Sequence, residues 1–409
     1  MKPELILPAG SPEKMKYAFA YGADAVYAGL SESSLRARFN EFDVKSLKEA
    51  VLYAKKLKKL IYIAVNLFAH NEDLPAVDRT VRELSEVGPD AFIVSDPGVL
   101  RAARRSARHI PVHLSTQANT TNSESVMFWK DFGVGRIILA RELTFQETEE
   151  ICGKTSGVEL EIFIHGAMCV SYSGRCLLSN FLTGRDANRG ECAGTCRWPY
   201  YLVEETRNKE LFETGEDLHG TYILNSRDLC LLEKLPKLKP LPLHGFKVEG
   251  RTKNLFYVAL VAKAYRLALD AVYDDGAAAP PDEALELLEF TDSHGYTNGF
   301  MFDNPEPKQL YRDREGSKQN ILGLIDGTSG NEIIIRAKNP VSEGDTVLGI
   351  SPREYVRFRI LELYENGERI PRAFGAKQQR VRAVTDRPFT GDEWSFGIIA
   401  KPDDGDRSV

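Results

Sequence analysis

The residues with the strongest chemical signature are thiols. Four of the six cysteines, Cys169, Cys176, Cys192 and Cys196, lie within the 28 residues from 169 to 196, in HGAMCVSYSGRCLLSN and GECAGTCRWPY. Their spacing is C-x6-C-x15-C-x3-C. Thiolate sulfur is a soft ligand, and four thiolates around one centre suit zinc or an iron–sulfur cluster. Structural zinc sites usually use closely spaced cysteine pairs at both ends, which the first gap matches poorly. An irregular loop around a larger cluster fits it better. On spacing alone, zinc and buried or redox-active thiols stay open. Cys230, in the apolar and helical-looking run NSRDLCLL, is an alternative fourth ligand, although a small core residue is the blander reading.

A second set of polar residues stands at the ends of short apolar runs: Asn66, Ser95, Asp96, Ser115, Gln117, Asn119, Arg141, Glu142, His165, Lys247, Glu249 and Arg251. KVEGR puts Lys247 and Glu249 on one side of a strand. If that side faces a barrel lumen, they form a buried ion pair beside a binding site or a purely structural salt bridge. His165 is a candidate acid–base, with a satisfied strand-end histidine as the alternative. SSLRARFNEF offers Arg36, Arg38 and Asn40 on a loop. There is no HExxH and no GxSxG. Four clustered thiols also fit a Cys–His nucleophile poorly.

The elements that must position these groups alternate. The expected strands are Glu4–Pro8, Ala25–Leu30, Leu60–Asn66, Ala91–Ser95, Val112–Gln117, Arg136–Arg141, Glu159–His165 and Gly245–Glu249. Helical patterns separate the first seven: Lys16–Tyr21, Val44–Lys58, Leu74–Val87, Val99–Ala107, Ser123–Phe132 and Thr144–Cys152. Eight strands alternating with helices predict an α/β fold, a closed (β/α)8 TIM-like barrel over 1–305, whose active face lies at the strands' C-terminal ends. The cysteines fall in an insertion, 166–244, that leaves that face after strand seven. Asn254–Tyr273 and Glu283–Phe290 read as helices. Six short alternating segments from NILGLIDG to EWSFGIIAK, separated by Gly, Asn, Asp and Pro, predict a small C-terminal all-β barrel domain over 315–402.

With 43% apolar residues the chain can fill a core. The apolar run at the N-terminus, Leu5–Leu7, stops at Pro8, and no window approaches the length of a membrane span. A cytoplasmic, membrane-free protein is expected, in which clustered thiols point to metal or redox chemistry rather than disulfides. The net charge of −6 argues against coating nucleic acid by charge alone, though not against a local basic groove.

ELILPAGSPEKMKYAFAYGADAVYAGL, the cysteine-bearing stretch from His165 to Tyr200, and KVEGR resemble the collagenase-like proteins of unclassified peptidase family 32 over nearly the whole chain. The resemblance implies oxygen-independent hydroxylation rather than proteolysis, a four-cysteine [4Fe-4S] centre on Cys169, Cys176, Cys192 and Cys196, and prephenate as oxygen source. SLRARFNEF and CAGTCRWPY look most like the tRNA branch, which makes 5-hydroxyuridine at the wobble position. That implies the tRNA anticodon stem-loop as partner. A related family member as protein partner, ribosomal RNA cytidine or a ubiquinone precursor as substrate, and a collagenase-like peptidase are the alternatives. In this reading His165, Lys247 and Glu249 are catalytic, and Asn66, Gln117, Arg141 and Arg251 bind substrate. Arg36, Arg38, Arg185, Arg189 and Arg197 meet phosphates, and the small β domain grips RNA.

Overall fold

The computed structural model describes residues 1–30, 40–169, 171–198, 215–217, 220–222, 227–293, 295–302, 321–375, 379–390 and 392–402. The first half alternates strand and helix: β1 (Glu4–Pro8), α1 (Pro12–Ala20), β2 (Ala25–Gly29), α2 (Val44–Lys56), β3 (Leu60–Val65), α3 (Leu74–Val87), β4 (Ala91–Val94), α4 (Pro97–Ser106), β5 (Val112–Leu114), α5 (Ser123–Asp131), β6 (Arg136–Ile138), α6 (Phe145–Lys154) and β7 (Glu159–Ala167). Five of these six helices start where the sequence supplies a side-chain cap. Ser11, Asp43, Asp96, Asn122 and Thr144 each accept a backbone N–H of the first turn. Pro12 and Pro97 occupy first-turn positions, where a missing N–H is harmless.

The insertion carries α7 (Leu178–Thr183), β8 (Gly215–Asp217), β9 (Gly220–Tyr222), β10 (Asp228–Cys230) and the one-turn α8 (Leu235–Leu238). It returns to the barrel at β11 (Gly245–Val248), followed by α9 (Leu255–Leu269), α10 (Asp282–Glu289), β12 (Tyr296–Thr297) and α11 (Gly299–Phe302). Strands β1 to β7 pair in sequence order, all parallel, and β11 pairs with both β1 and β7. The eight-stranded barrel is closed. Its strands are short and almost wholly buried, as both faces of a parallel sheet must be.

Two departures from the expected pattern shape the site. Strand β7 outruns its neighbour β6, which pairs only as far as Ile138↔Glu161. The vacated edge is taken by β10, antiparallel, with Cys230↔His165. Cys230 is therefore in a strand, not the expected helical run, because its backbone completes the edge of β7. Second, the β11–β7 register passes from Lys247↔Phe163 to Val248↔His165, so β7 carries one extra residue at Ile164. Such a bulge reverses side-chain alternation beyond it.

The C-terminal region holds β13 (Ile321–Ala337), β14 (Val341–Ser342), β15 (Thr346–Ile350), β16 (Tyr355–Glu365), β17 (Glu368–Arg369), β18 (Arg372–Ala373), β19 (Arg380–Phe389) and β20 (Ile398–Ala400). The antiparallel order β15-β20-β13-β19-β16 closes through β15–β16 into a small five-stranded barrel. The expected strands in NILGLIDG and NEIIIRAK merge, from Ile321 to Ala337, into one long strand, β13, rather than two. Trp394, Phe358, Phe389 and Ile360 fill this barrel's core. Ile321, Leu324, Leu348, Ile350, Ile398 and Ala400 instead join the core of the larger barrel. The expected boundaries at 305 and 315 lie outside the described residues. Among those residues no helix is long and apolar enough to cross a membrane.

Candidate active site

The C-terminal mouth of the large barrel opens into a cavity lined by strand-end residues and by the cysteine-rich segment. Asn66, Gln117, Arg141, Lys247, Glu249 and Arg251 line it together with Cys169, Cys176, Cys192 and Cys196. The strands supply the floor and the insertion supplies the wall. Residue types scattered over more than two hundred positions thus meet at one place, as the barrel topology requires. Arg36 and Arg38, and the side chain of Arg197, lie outside the described residues.

The segment bearing the thiols is fastened to the mouth at several points. Ser173 is held by Glu142 through its N–H at 2.5 Å and its hydroxyl at 2.7 Å. Arg175 stacks on Phe68 at 5.0 Å and donates to the Gln117 carbonyl at 2.7 Å. Asn188 bridges both backbone groups of Cys176, accepting from its N–H at 3.1 Å and donating to its carbonyl at 2.9 Å. The Ser179 hydroxyl donates to the Arg185 carbonyl at 2.8 Å and accepts from the Ala193 N–H at 3.0 Å. Arg185 in turn donates to the Cys192 carbonyl at 3.2 Å, and Arg189 is salt-bridged to Glu72 and Asp73. Two arginines expected to meet phosphates are thus structural ties of this loop. Among the described residues, no three His, Cys, Asp or Glu side chains stand close enough as they lie to hold a metal ion.

The cavity's polar groups are pre-arranged. The Gln117 Oε1 accepts from Asn66 Nδ2 at 3.0 Å and from Ser95 Oγ at 3.1 Å, which fixes the amide orientation. Arg141 lies over Phe163 at 5.1 Å and donates to the Ala167 carbonyl at 3.0 Å. Lys247 Nζ sits 4.4 Å above the Tyr27 ring, and Arg251 lies 5.6 Å from that ring. Tyr27 also lines the cavity; in the sequence it is one aromatic in a strand pattern, with nothing to distinguish it as a site residue.

The carboxylate that holds Lys247 is Glu161, at 2.9 Å and wholly buried. Sequence alternation along KVEGR points to Glu249; Glu161 is found by alternation along β7, two positions before the lining residue Phe163. Burial lowers the Lys247 pKa, and Glu161 opposes that shift. Below, Arg136 is clamped by Glu4 and Glu159 at 2.6 Å each. Burial and the neighbouring cations Arg136 and Lys247 hold His113 well below its ordinary value, and therefore neutral.

His165, the candidate acid–base near the end of β7, does not join the cavity, because the bulge in that strand turns it away. Counting by twos from Glu161 through Phe163 puts residue 165 inside; the extra residue turns it outward. There it is fully buried among Tyr265 and Tyr296, both at 5.4 Å, and Tyr257 at 5.8 Å. Desolvation, helped by Lys253, pushes its pKa down to about 3. Cys230 shares this outer layer, with Sγ 3.8 Å from the Tyr265 hydroxyl, and burial pushes its thiol up. It is not among the residues lining the cavity.

Residues 10–310 match the family model described as peptidase family U32. The chain belongs to peptidase family U32. The tRNA hydroxylation protein P of Escherichia coli is 38% identical over 91% of this chain and 92% of its own length. The tRNA hydroxylation protein P1 of Bacillus subtilis is 42% identical over 86% of this chain and 84% of its own. A 23S rRNA 5-hydroxycytidine synthase of Escherichia coli is 31% identical over 89% of this chain and 55% of its own length. The U32 barrel mouth described above lies inside the matched region.

Proposed function

We propose that the chain is an oxygen-independent RNA hydroxylase that forms 5-hydroxyuridine at the tRNA wobble position, with prephenate as oxygen source. The reading rests on one convergence. Four thiols and the cations Arg141, Lys247 and Arg251 line a single cavity in a chain whose near-full-length relatives bear the name tRNA hydroxylation protein. The donor set fits a [4Fe-4S] cluster held by Cys169, Cys176, Cys192 and Cys196, since soft thiols are the preferred ligands of such clusters. When bound, the cluster supplies one-electron chemistry and an iron that can polarise an oxygen.

The chain's own residues do the rest. A base in an anticodon loop can be splayed out and taken into a pocket, which a paired base cannot without unstacking. Asn66 and Gln117 would meet the polar edge of the uracil, their amides held in one orientation by the Ser95 hydroxyl and by each other. Arg141, Lys247 and Arg251 would take the two carboxylates of prephenate, guanidinium matching carboxylate in a forked geometry. Tyr27 and Phe163 supply the apolar walls that lie against a ring. A hydrolytic Cys–His or Ser–His pair, which the family's label would suggest, finds no histidine among the described residues lining the cavity.

Nucleoside mass spectrometry of tRNA from a strain lacking this chain tests the reading. The 5-hydroxyuridine signal should vanish. Its persistence, in a strain with no redundant pathway, overturns the proposal. In parallel, Cys169→Ala protein purified without oxygen should lose most of its iron and sulfide; wild-type content removes Cys169 from the ligand set.

A further inference from the structure

We infer that Glu161 is the positioning residue of the small-acid subsite: it fixes the Lys247 ammonium at the cavity floor so that Lys247 binds a carboxylate of the ligand. The inference rests on the reading above for the identity of the acid, but its geometry stands by itself. Glu161 is wholly buried in the lumen below the cavity. One of its oxygens accepts from Lys247 Nζ at 2.9 Å. The other faces the Arg136 guanidinium at 3.5 Å and makes no hydrogen bond.

The division of charge decides what Glu161 serves. Arg136 already has Glu4, reached by two of its nitrogens at 2.6 and 3.1 Å, and Glu159 at 2.6 Å. Those two carboxylates reach the lower rim of the barrel and are part-exposed. Lys247, 5% exposed in its side chain, has Glu161. An ammonium has three donors. One goes to Glu161, and no second hydrogen-bond acceptor for it stands among the described residues. The remaining donors lie at the floor of the cavity Lys247 lines, boxed by Tyr27 at 4.4 Å and Phe163 at 5.9 Å. A buried cation needs a compensating charge to stay protonated. Without Glu161, the groups around it are Arg136 from β6, His113 from β5, Tyr27 from β2, and Glu249 and Arg251 from its own strand and the loop beyond. Only Glu249 there is acidic; it favours the charged ammonium less than Glu161 does, and Arg251 opposes it.

The test uses the full chain and its Glu161→Gln, Glu161→Asp and Lys247→Met variants. Prephenate affinity is measured by calorimetry from about pH 6 to about pH 10, a range that brackets a lysine lowered from its ordinary value. Wild-type affinity should hold until Lys247 deprotonates. In Glu161→Gln the fall should come at least about one pH unit earlier, making binding roughly tenfold weaker in between. Lys247→Met should bind weakly with no such step. If Glu161→Gln does not fold, Glu161→Asp carries the test, with an intermediate midpoint expected. A purely structural role predicts lower thermal stability with the pH midpoint unmoved, and that outcome overturns the inference. If the wild type binds no prephenate, the proposed function is at fault rather than Glu161. The midpoint is then read without ligand, from the pH dependence of Lys247 acetylation by acetic anhydride, followed by mass spectrometry. Equal midpoints in wild type and Glu161→Gln again overturn it.

Discussion

At the scale of single residues, His165 shows what a buried titratable group does when it has no task in the cavity. Its ring is held by three tyrosines, and its Nε2 has no hydrogen-bond partner among the described residues. With a folded pKa near 3 against an unfolded value near 6.5, the unfolded chain binds the proton first as pH falls. Stability from this residue is therefore intact above about pH 6.5 and lost progressively down to about pH 3. Between neutrality and about pH 4 the loss is about 3 kcal/mol. His165→Phe should keep stability near wild type at neutral pH and flatten its acid dependence, read from urea midpoints across that range. A parallel acid slope in both proteins assigns the acid sensitivity elsewhere. The sequence showed a histidine at a strand end beside four cysteines, and nothing in that pattern reports which face it takes. Glu161 was illegible for a related reason: its partner is 86 positions away, and only barrel closure makes them neighbours.

At the scale of elements, the order and type of the barrel strands and helices are legible, with bounds that differ by up to four residues, because parallel strands are continuous apolar runs and most of the helices carry explicit caps. The β7 bulge was not legible, since one extra residue leaves the composition of a strand unchanged. Gly166, just past the bulge, is what the bend requires. Its φ is +105°, and a Cβ there would stand 2.2 Å from the Glu249 carbonyl oxygen and 2.9 Å from the Tyr257 hydroxyl. That hydroxyl already donates to the same carbonyl at 2.9 Å, so neither neighbour can retreat cheaply. Gly166→Ala should destabilise by about 2 kcal/mol or more. Because the chain reaches Cys169 three residues later and Glu249 itself lines the cavity, the proposed function predicts that the variant also loses iron and prephenate affinity. A variant with wild-type melting temperature and iron content shows that β7 absorbs the methyl group without moving the mouth.

At the scale of the whole molecule, the sequence marked a change of texture into short alternating strands but held no sign of how the small barrel docks, because docking residues look like ordinary surface positions of either part. Lys263 is an example: on a helix pattern it reads as a solvated lysine, yet it is 3% exposed. Its Nζ donates to the carbonyls of Ser351 at 3.0 Å and Glu354 at 3.1 Å and lies 3.4 Å from Glu283, while burial lowers its pKa. Nearby, the Tyr21 hydroxyl meets the carbonyls of Ile350 and Phe396 at 2.8 and 2.7 Å. Apolar residues of the small barrel, among them Ile350 and Ile398, are continuous with the large core. Unfolding one barrel would expose that shared surface, so the two should melt together. Calorimetry of the wild type should give a single transition. Lys263→Met removes the ammonium and leaves two carbonyls and a carboxylate without it, at roughly 1–3 kcal/mol for each carbonyl that water does not reach. The variant should melt several degrees lower, still in one transition, because the apolar seam remains. Two resolved transitions in the wild type would show instead that the barrels fold independently and that the seam contributes little to their coupling.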